Sequence, residues 1–242
     1  MSMCGRFALS AMLTEIAEEF STNSQPNRTL PFDWNIKPTQ DIYIINSPGR
    51  AERKIEIVSW GLIAPWSKSG AEAHKSQSQA INARSETVHE KPTFKRAFRS
   101  SRCLIPATGY YEWATEFGAF RSKQPFYITS STGRLLAFAG LHSEWQSPEG
   151  VIRKSAALIT RDSAGNLATI HDRMPLFLPE DRWDSWLDPS QNSIPELIKL
   201  MQVSEPAAGL EFWPVQDLVN SIRNNGEVLI ERIEIGEPET LF

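Results

Sequence analysis

The sequence contains few of the residue types that build disulfide frameworks or metal centres. Its 242 residues include two cysteines and four histidines. Cys4 and Cys103 cannot form the disulfide framework of a small secreted domain, so a reducing compartment is expected. Because no Cys or His residues fall in pairs at the spacing typical of zinc ligands, we expect no metal site and no other cofactor.

Long apolar runs and a strong excess of one charge are also absent. No apolar run approaches the roughly 18 residues of a membrane span, and the first residues lack the basic and apolar regions of a signal peptide. The formal net charge of −4 argues against a surface covered by phosphate contacts, although it allows a local basic cleft. With 40% hydrophobic and 22% charged residues, the composition is typical of a globular chain with an ample core.

Cys4 lies close enough to the start of the chain for processing to expose it as the N-terminal residue. Its backbone nitrogen would then be an α-amine with a pKa of about 7.7–8.0, beside a thiol with an unperturbed pKa of about 8.5. An aldehyde can form an imine with such an amine, and the thiol can then close a five-membered thiazolidine in an intramolecular step. The alternative is that Cys4 is a small buried hydrophobic residue near a frayed terminus.

Hydrophobic periodicity predicts many short strands separated by a few helices. Strands are expected over residues 4–9, 41–46, 54–60, 103–107, 110–115, 125–130, 135–142, 152–160 and 228–233. Helices are expected over residues 13–20, within 91–102, and over 162–169, 178–187 and 194–201. Residues 67–79 show no periodicity and little apolar content, which is typical of a mobile loop. With no internal repeat, this pattern indicates a single α+β domain with an antiparallel, β-rich, barrel-like core and flanking helices, followed by an acidic tail over residues 236–242.

Several polar residues sit in contexts that favour chemistry. Asn82 and Arg84 alternate along a short predicted strand, so both side chains can point into one cleft, unless the segment is a strand end with an Asn turn. Glu112 is flanked by three aromatic residues, which would desolvate its carboxyl and raise its pKa, unless the side chain faces solvent. His171 lies among charged residues in a predicted loop, where it is either a proton shuttle or a hydrogen-bonded structural residue.

Residues 91–102 contain five basic residues and no acidic one. Such a run is typical either of a solvated helix face or of a nucleic-acid-binding surface. The sequence of the run does not distinguish the two.

Seven short motifs together resemble the SRAP family, whose name stands for SOS-response-associated peptidase. They occur in the family's order and span essentially the whole chain: residues 4–7 (CGRF), 34–38 (WNIKP), 60–66 (WGLIAPW), 81–86 (INARSE), 109–113 (GYYEW), 123–127 (KQPFY) and 170–175 (IHDRMP). Seven ordered matches are far more specific than any single motif. The resemblance implies an SRAP-like domain over residues 4–235.

The resemblance also implies a chemistry for four residues. Cys4 would be the nucleophile that links the protein covalently to abasic sites in single-stranded DNA. Asn82 would orient the Cys4 amine and the sugar. Glu112 and His171 would move protons during ring opening and crosslinking, with Glu112 also implicated in self-processing and reversal. The family is associated with peptidase activity that exposes the cysteine, and a lyase activity stays open.

Four further residues are implied in DNA binding. Arg6, Arg84 and Arg173 would hold phosphates beside the lesion, and Trp66 would stack on bases or act as a wedge. Phosphate contacts carry no sequence information and aromatic stacking tolerates any base, as suits a protein that recognises a lesion. The implied partner is single-stranded DNA containing abasic sites, the implied protein is a monomer without membrane contact, and the implied location is cytoplasmic, nucleoid-associated in a bacterium.

The chain departs from the family pattern in two places. Three residues precede Cys4 where the family has one Met, and Lys37 stands where Ala is expected. We expect residues 1–3 to be removed, either because translation starts at Met3 and that Met is then trimmed, or because the site cleaves its own Met3–Cys4 bond.

Two other functions fit the same residues. One is a Cys-dependent peptidase or amidase acting on other proteins, with Cys4 as nucleophile and His171 or Glu112 as base. The other is a non-catalytic module that binds single-stranded DNA through residues 91–102. Its binding would weaken steeply with salt and would not survive denaturation.

Overall fold

The computed structural model describes residues 4–49, 52–115 and 120–235. Its strands are β1 (Arg6–Leu9), β2 (Asp33–Ile36), β3 (Asp41–Gly49), β4 (Glu52–Trp60), β5 (Asn82–Arg84), β6 (Arg102–Ala107), β7 (Gly109–Trp113), β8 (Pro125–Ser130), β9 (Leu136–Gln146), β10 (Ile152–Asp162), β11 (Arg173–Pro175) and β12 (Leu210–Pro214). Its α-helices are α1 (Leu13–Glu19), α2 (Gly70–Gln79), α3 (Pro92–Ser100), α4 (Trp183–Leu187) and α5 (Ile194–Met201). Short 3₁₀ helices cover Gly165–Thr169, Glu180–Arg182, Asp217–Asn220 and Glu227–Ile230.

Five strands close into a barrel in the order β10-β4-β3-β6-β9, with β9 returning to pair with β10. The β10–β4 pairing is parallel and the others are antiparallel, so the barrel is mixed. β5 pairs with β10 in parallel, and β11 pairs with it antiparallel. A second sheet, β12-β8-β7-β1-β2, is antiparallel throughout. The predicted α+β class and barrel-like core are therefore confirmed.

A continuous aromatic core joins the two sheets. The Phe7 ring of β1 meets the Trp60 ring at 5.1 Å and the Phe138 ring at 5.9 Å, both edge-on. Tyr110 of β7 packs edge-on against the same Phe138 ring at 6.0 Å. Fully burying one such side chain contributes on the order of 1.5–3 kcal/mol, so this layer fixes the second sheet firmly against the barrel. Strand β1 of the second sheet thereby packs against β6 of the barrel.

The prediction of a mobile loop over residues 67–79 was wrong, because α2 occupies most of that segment. Ser69 caps the helix, and its hydroxyl accepts a hydrogen bond from the Glu72 amide at 3.2 Å. The Glu72 carboxylate accepts in turn from the Lys68 amide at 2.9 Å. Only Ala73 and Gln77 are buried, so the helix carries almost no apolar periodicity for sequence reasoning to find.

The last predicted strand, over residues 228–233, was also wrong. Its first part belongs to the 3₁₀ helix Glu227–Ile230, which buries Leu229. The Ile230 carbonyl accepts a hydrogen bond from the Trp213 indole at 2.8 Å, which ties this segment to β12. Strands β2, β11 and β12 were not predicted. The expected leader (residues 1–3) and acidic tail (residues 236–242) lie outside the described residues.

Among the described residues, no helix is both long enough and apolar enough to cross a lipid bilayer. Within the same part of the chain, no three His, Cys, Asp or Glu side chains are grouped so as to hold a metal ion.

Candidate active site

Cys4 and Glu112 meet where β1 runs alongside β7. Arg6 pairs with Tyr111 and Phe7 with Tyr110, so the residues just before β1 pass beside Glu112. The Cys4 backbone nitrogen donates a hydrogen bond to Oε1 of Glu112 at 2.8 Å. Both residues are buried, at 2% and 4% exposure. The contact brings together two of the residues that the sequence motifs single out.

Glu112 holds its proton more tightly than an exposed glutamic acid does. Burial raises its pKa, because the charged carboxylate is poorly solvated there. The neighbouring His171 and the hydrogen bonds from Cys4 lower the pKa of Glu112 but do not cancel the effect of burial. A carboxyl group with a raised pKa is suited to both donating and accepting a proton near neutral pH.

The Cys4 thiol is protonated at rest. Burial raises its pKa well above the ordinary value, and the charge and hydrogen bond of Glu112 raise it further, while Arg173 opposes the shift. The thiol therefore needs a base before it can attack as a thiolate. Glu112 is the adjacent group able to take that proton. Cys4 also has a backbone φ of 42°, in the left-handed region that residues with a Cβ rarely adopt.

Asn82 reaches the site from β5. Leu158 of β10 pairs with it, which places β5 at the end of the barrel nearest Cys4. The Asn82 side-chain amide donates to the Cys4 carbonyl at 3.4 Å. Ala83 is buried, whereas Asn82 is half-buried and Arg84 is exposed, as the predicted alternation requires. Asn82 is thereby placed to orient the Cys4 backbone.

His171 lies in the loop that precedes β11, and it is buried. Its Nδ1 accepts a hydrogen bond from the Arg173 amide at 3.0 Å and lies 3.0 Å from Oδ1 of Asp172. Both contacts are made by Nδ1, and they fix the orientation of the buried ring.

Arg173 is engaged inside the protein. Its guanidinium is 6% exposed and forms a bidentate pair with Glu86 at 2.8 and 3.1 Å. It also donates to the Thr160 carbonyl at 2.9 Å and pairs with Asp162. These contacts link β11 to β10 and to the turn after β5. The geometry thus gives Arg173 a structural role that the sequence did not predict, and its phosphate contact stays a prediction.

Arg6 is bound within the protein as well. It donates to Oδ1 of Asn35 at 2.7 Å and to the Val219 carbonyl at 2.9 Å. Asn35 itself donates to the carbonyls of Ser221 and Asn224. Arg6 therefore helps to hold the segment after β12 against the second sheet, and a phosphate contact by Arg6 also stays a prediction.

Trp66 stands on a rigid turn and is 54% exposed. The turn is fixed at the Ile63 amide, which donates to Ser155 Oγ at 2.9 Å, and at the Ser67 carbonyl, which accepts from the Trp145 indole at 2.8 Å. An exposed indole on a fixed backbone can stack on a base at little entropic cost. The stacking role of Trp66 stays a prediction.

The Tyr110 hydroxyl is a site group that sequence reasoning passed over. Burial raises its pKa, and the proximity of Cys4 and Glu112 raises it further. It therefore stays protonated near this pair of residues. Tyr110 and Glu112 alternate on β7 and so share a face, which was the available signal in the sequence.

Comparison with known proteins identifies the family of this chain. The family model described as SOS response associated peptidase (SRAP) matches residues 3–222. The abasic site processing protein YoqW of Bacillus subtilis (strain 168) is 36% identical over 230 residues, covering 95% of this chain and 99% of its own length. The abasic site processing protein HMCES of Rattus norvegicus is 33% identical over 201 residues, covering 72% of this chain and 56% of its own.

A crystal structure of a Bacteroides thetaiotaomicron protein has the same fold. It superposes with a TM-score of 0.82 at 24% identity, covering 96% of this chain and 100% of that one. The family match extends over nearly the whole barrel and second sheet. The chain therefore belongs to the SOS response associated peptidase (SRAP) family.

Proposed function

We propose that this protein processes abasic sites in single-stranded DNA by linking them covalently to Cys4. Membership of the family and the names of the relatives support an activity on abasic sites. The observation that carries the finer proposal is the 2.8 Å hydrogen bond from the Cys4 nitrogen to the Glu112 carboxyl. A nucleophilic nitrogen, a thiol on the adjacent carbon and a buried acid–base group then share one site.

The proposed reaction begins with opening of the abasic sugar to its aldehyde. The Cys4 α-amine adds to the aldehyde carbon, and loss of one water gives an imine. The Cys4 sulfur then adds to the imine carbon, its proton passing to the nitrogen, and a thiazolidine results. The overall change is aldehyde plus aminothiol giving thiazolidine plus water. An imine also permits β-elimination of the DNA strand, so rapid capture by sulfur keeps the strand intact.

Each neighbouring residue has a role in this proposal. Glu112 accepts a proton from the Cys4 nitrogen or sulfur and returns it to the departing hydroxyl. His171 donates a hydrogen bond to a sugar oxygen as the ring opens. Asn82 holds the Cys4 carbonyl, so that nitrogen and sulfur face the same carbon. A pre-oriented pair of nucleophiles supplies much of the rate enhancement through proximity.

The DNA-binding roles rest on residues around this centre. We propose that Arg84 holds a phosphate and that Trp66 stacks beside the lesion. Arg6 and Arg173 would contact phosphates only in competition with the protein acceptors that already bind them. The protein is expected to act as a monomer.

A free amine at Cys4 is required, so the proposal includes removal of residues 1–3. Translation from Met3 followed by removal of that Met is the simpler route. Self-cleavage is the other: the Cys4 sulfur attacks the Met3 carbonyl, and the Met3–Cys4 C–N bond breaks as Glu112 or His171 passes the thiol proton to the nitrogen. Water then hydrolyses the Met3 thioester, which releases residues 1–3 and restores the thiol. This second route is the proposed autopeptidase activity.

The test uses single-stranded DNA with one abasic site and protein whose N-terminus is confirmed as Cys4. A band that survives a denaturing gel is expected for this protein and for Cys103→Ala, which removes the other cysteine. Cys4→Ala should form no stable band. Absence of a band with the unchanged protein would refute the proposal, and so would an equally strong band with Cys4→Ala. Cleavage of unrelated peptides without any DNA adduct would favour a peptidase that acts on other proteins.

A further inference from the structure

Four exposed basic residues lie on α3 or just before it. Lys91, Lys95, Arg96 and Arg99 form no ion pair with a carboxylate of the described residues. By contrast, Arg102 at the end of the same run is buried, and it donates to four carbonyl oxygens. A cluster of unpaired cations on a chain of net charge −4 attracts a polyanion locally.

A cleft of about 250 Å³ lies between α3 and the turn after β4. Leu62, Pro65 and Ala97 supply apolar walls, and Thr93, Ser101 and Ser143 supply hydroxyl groups. Apolar walls with a few hydrogen-bonding groups suit a planar heterocycle. The cleft is large enough for one nucleobase.

The charges around the cleft indicate where a base and where a phosphate would bind. Arg96 lines it on the α3 side, and Glu144 lines it on the β9 side. Burial lowers the pKa of His142, another lining residue, to about 4, so its imidazole is neutral at pH 7. The Glu144 side chain is 57% exposed and pairs with Lys154 through Oε1 at 3.1 Å, which leaves Oε2 to accept a hydrogen bond from the amino group of a base. The exposed cations of α3 are the groups suited to a phosphate, and the cleft is the place suited to the base.

Strand β10 connects the cleft with the candidate active site. His142 of β9 and Trp60 of β4 both pair with Ala156 of β10, whereas Asn82 pairs with Leu158. The two pairing positions are therefore about 7 Å apart along β10. Pro65 lies in the cleft wall, and the next residue is the exposed Trp66.

We propose that this cleft binds one base of the single strand flanking the lesion, while the α3 cations hold the phosphates of that strand. This inference rests on the proposed function for its ligand. It assigns residues 91–102 to an extended DNA-binding surface, here called the DNA track. The sequence alone was equally consistent with a solvated helix face. Bases with an exocyclic amino group should be favoured over thymine, because Glu144 can accept from them.

The first test removes flanking bases one at a time from single-stranded DNA that carries a stable, unreactive abasic analogue at the lesion. Equilibrium binding is followed by fluorescence anisotropy. Removing the base at one flanking position should weaken binding about fivefold or more, because stacking of a base contributes on the order of 1–3 kcal/mol. Thr93→Trp fills the cleft and should abolish that dependence on position. The same change at an exposed helical residue, Thr14→Trp, should preserve it.

The second test measures the salt dependence of binding for the double variant Arg96→Gln, Arg99→Gln. Loss of two phosphate contacts should lower the slope of log K against log salt by about 1.4. The matched double variant Arg153→Gln, Lys199→Gln removes two exposed cations elsewhere and should leave the slope unchanged. This inference would be overturned if binding did not depend on which flanking base is removed and if the double variant Arg96→Gln, Arg99→Gln kept the wild-type salt slope. That result would count even if the wild-type adduct forms normally. Loss of the wild-type adduct with both effects intact would refute the crosslinking proposal and leave the DNA track standing.

Discussion

Replacing Glu112 by Gln separates the chemical role of this residue from its structural one. The amide has nearly the same shape, and its oxygen can still accept the hydrogen bond that the Cys4 nitrogen donates at 2.8 Å. It cannot transfer a proton at working pH. The variant should therefore bind abasic DNA as the wild type does and form the adduct more slowly.

The expected loss of rate follows from the kind of catalysis that is removed. A positioned general acid–base group contributes about 10²–10⁴-fold, which corresponds to about 3–5 kcal/mol of barrier. The thiol beside Glu112 cannot compensate, because burial raises its own pKa well above the ordinary value. We expect the single-turnover rate constant of Glu112→Gln to fall in this range at saturating DNA.

The same substitution should stabilise the folded protein at neutral pH. The pKa of Glu112 is raised in the folded state, so the folded state keeps its proton where the unfolded state has lost it. Stability then falls as pH rises from the unfolded pKa of about 4.3 through the higher folded pKa, and it stays lower above that. The Gln side chain is uncharged, so the variant does not lose this stability as the pH rises.

Two measurements on Glu112→Gln test the predicted changes in rate and stability. Quenched time courses with abasic DNA give the rate, and urea unfolding at pH 4 and pH 8 gives the stability difference from the wild type. A slower rate together with a stability gain that grows with pH supports the assigned role. An unchanged rate, or a variant less stable at pH 8 than the wild type, would refute the assignment of Glu112 as a buried acid–base group.

Other predictions test the fold around the site. Arg173→Met should lower the free energy of unfolding by about 1.5–3 kcal/mol in urea titrations, because its hydrogen bonds to carboxylates are lost; unchanged stability would mean that its internal pairing is unimportant. The pKa of Glu56 is lowered to about 2, because hydrogen bonds from two Lys and an Asn together outweigh the raising effect of burial. Its stabilisation should be lost as pH falls from about 4.3 to 2, and acid unfolding of Glu56→Gln should lack that component. Gly61→Ala should unfold at much lower urea than wild type, since its Cβ would lie 2.2 Å from the Gln77 carbonyl oxygen at a φ of +108°. Gly133→Ala, at a φ of +72° in open space, should show only the backbone cost of about 1–2 kcal/mol.

The barrel strands were predictable because each shows the sequence pattern of a buried strand. Runs such as residues 103–107 are short, apolar and bounded by turn residues, and β6 is buried at every position. The closing pairs were not predictable, because β10 meets β4 and β5 in parallel through contacts far apart in sequence. Helix α2 was missed for the opposite reason, since it is stabilised by local caps and carries almost no buried face.

The candidate site was likewise predictable only in part. The motifs identified Cys4, Asn82, Glu112 and His171, and the structure describes contacts among them or electrostatic effects between them. Sequence could not reveal the hydrogen bonds of a particular guanidinium, because these depend on tertiary neighbours. Arg173 illustrates this limit, with Glu86 and Asp162 approaching it from separate parts of the chain.

The central claim is that Cys4 reacts through both its amine and its thiol. Intact-mass spectrometry of the protein with abasic single-stranded DNA, followed by peptide mapping, tests this claim most directly. We predict a product equal in mass to the protein lacking residues 1–3 plus the DNA minus one water, with the modification on Cys4. A stable adduct on protein that still carries residues 1–3, or an adduct mapped to another residue, would contradict the thiazolidine mechanism.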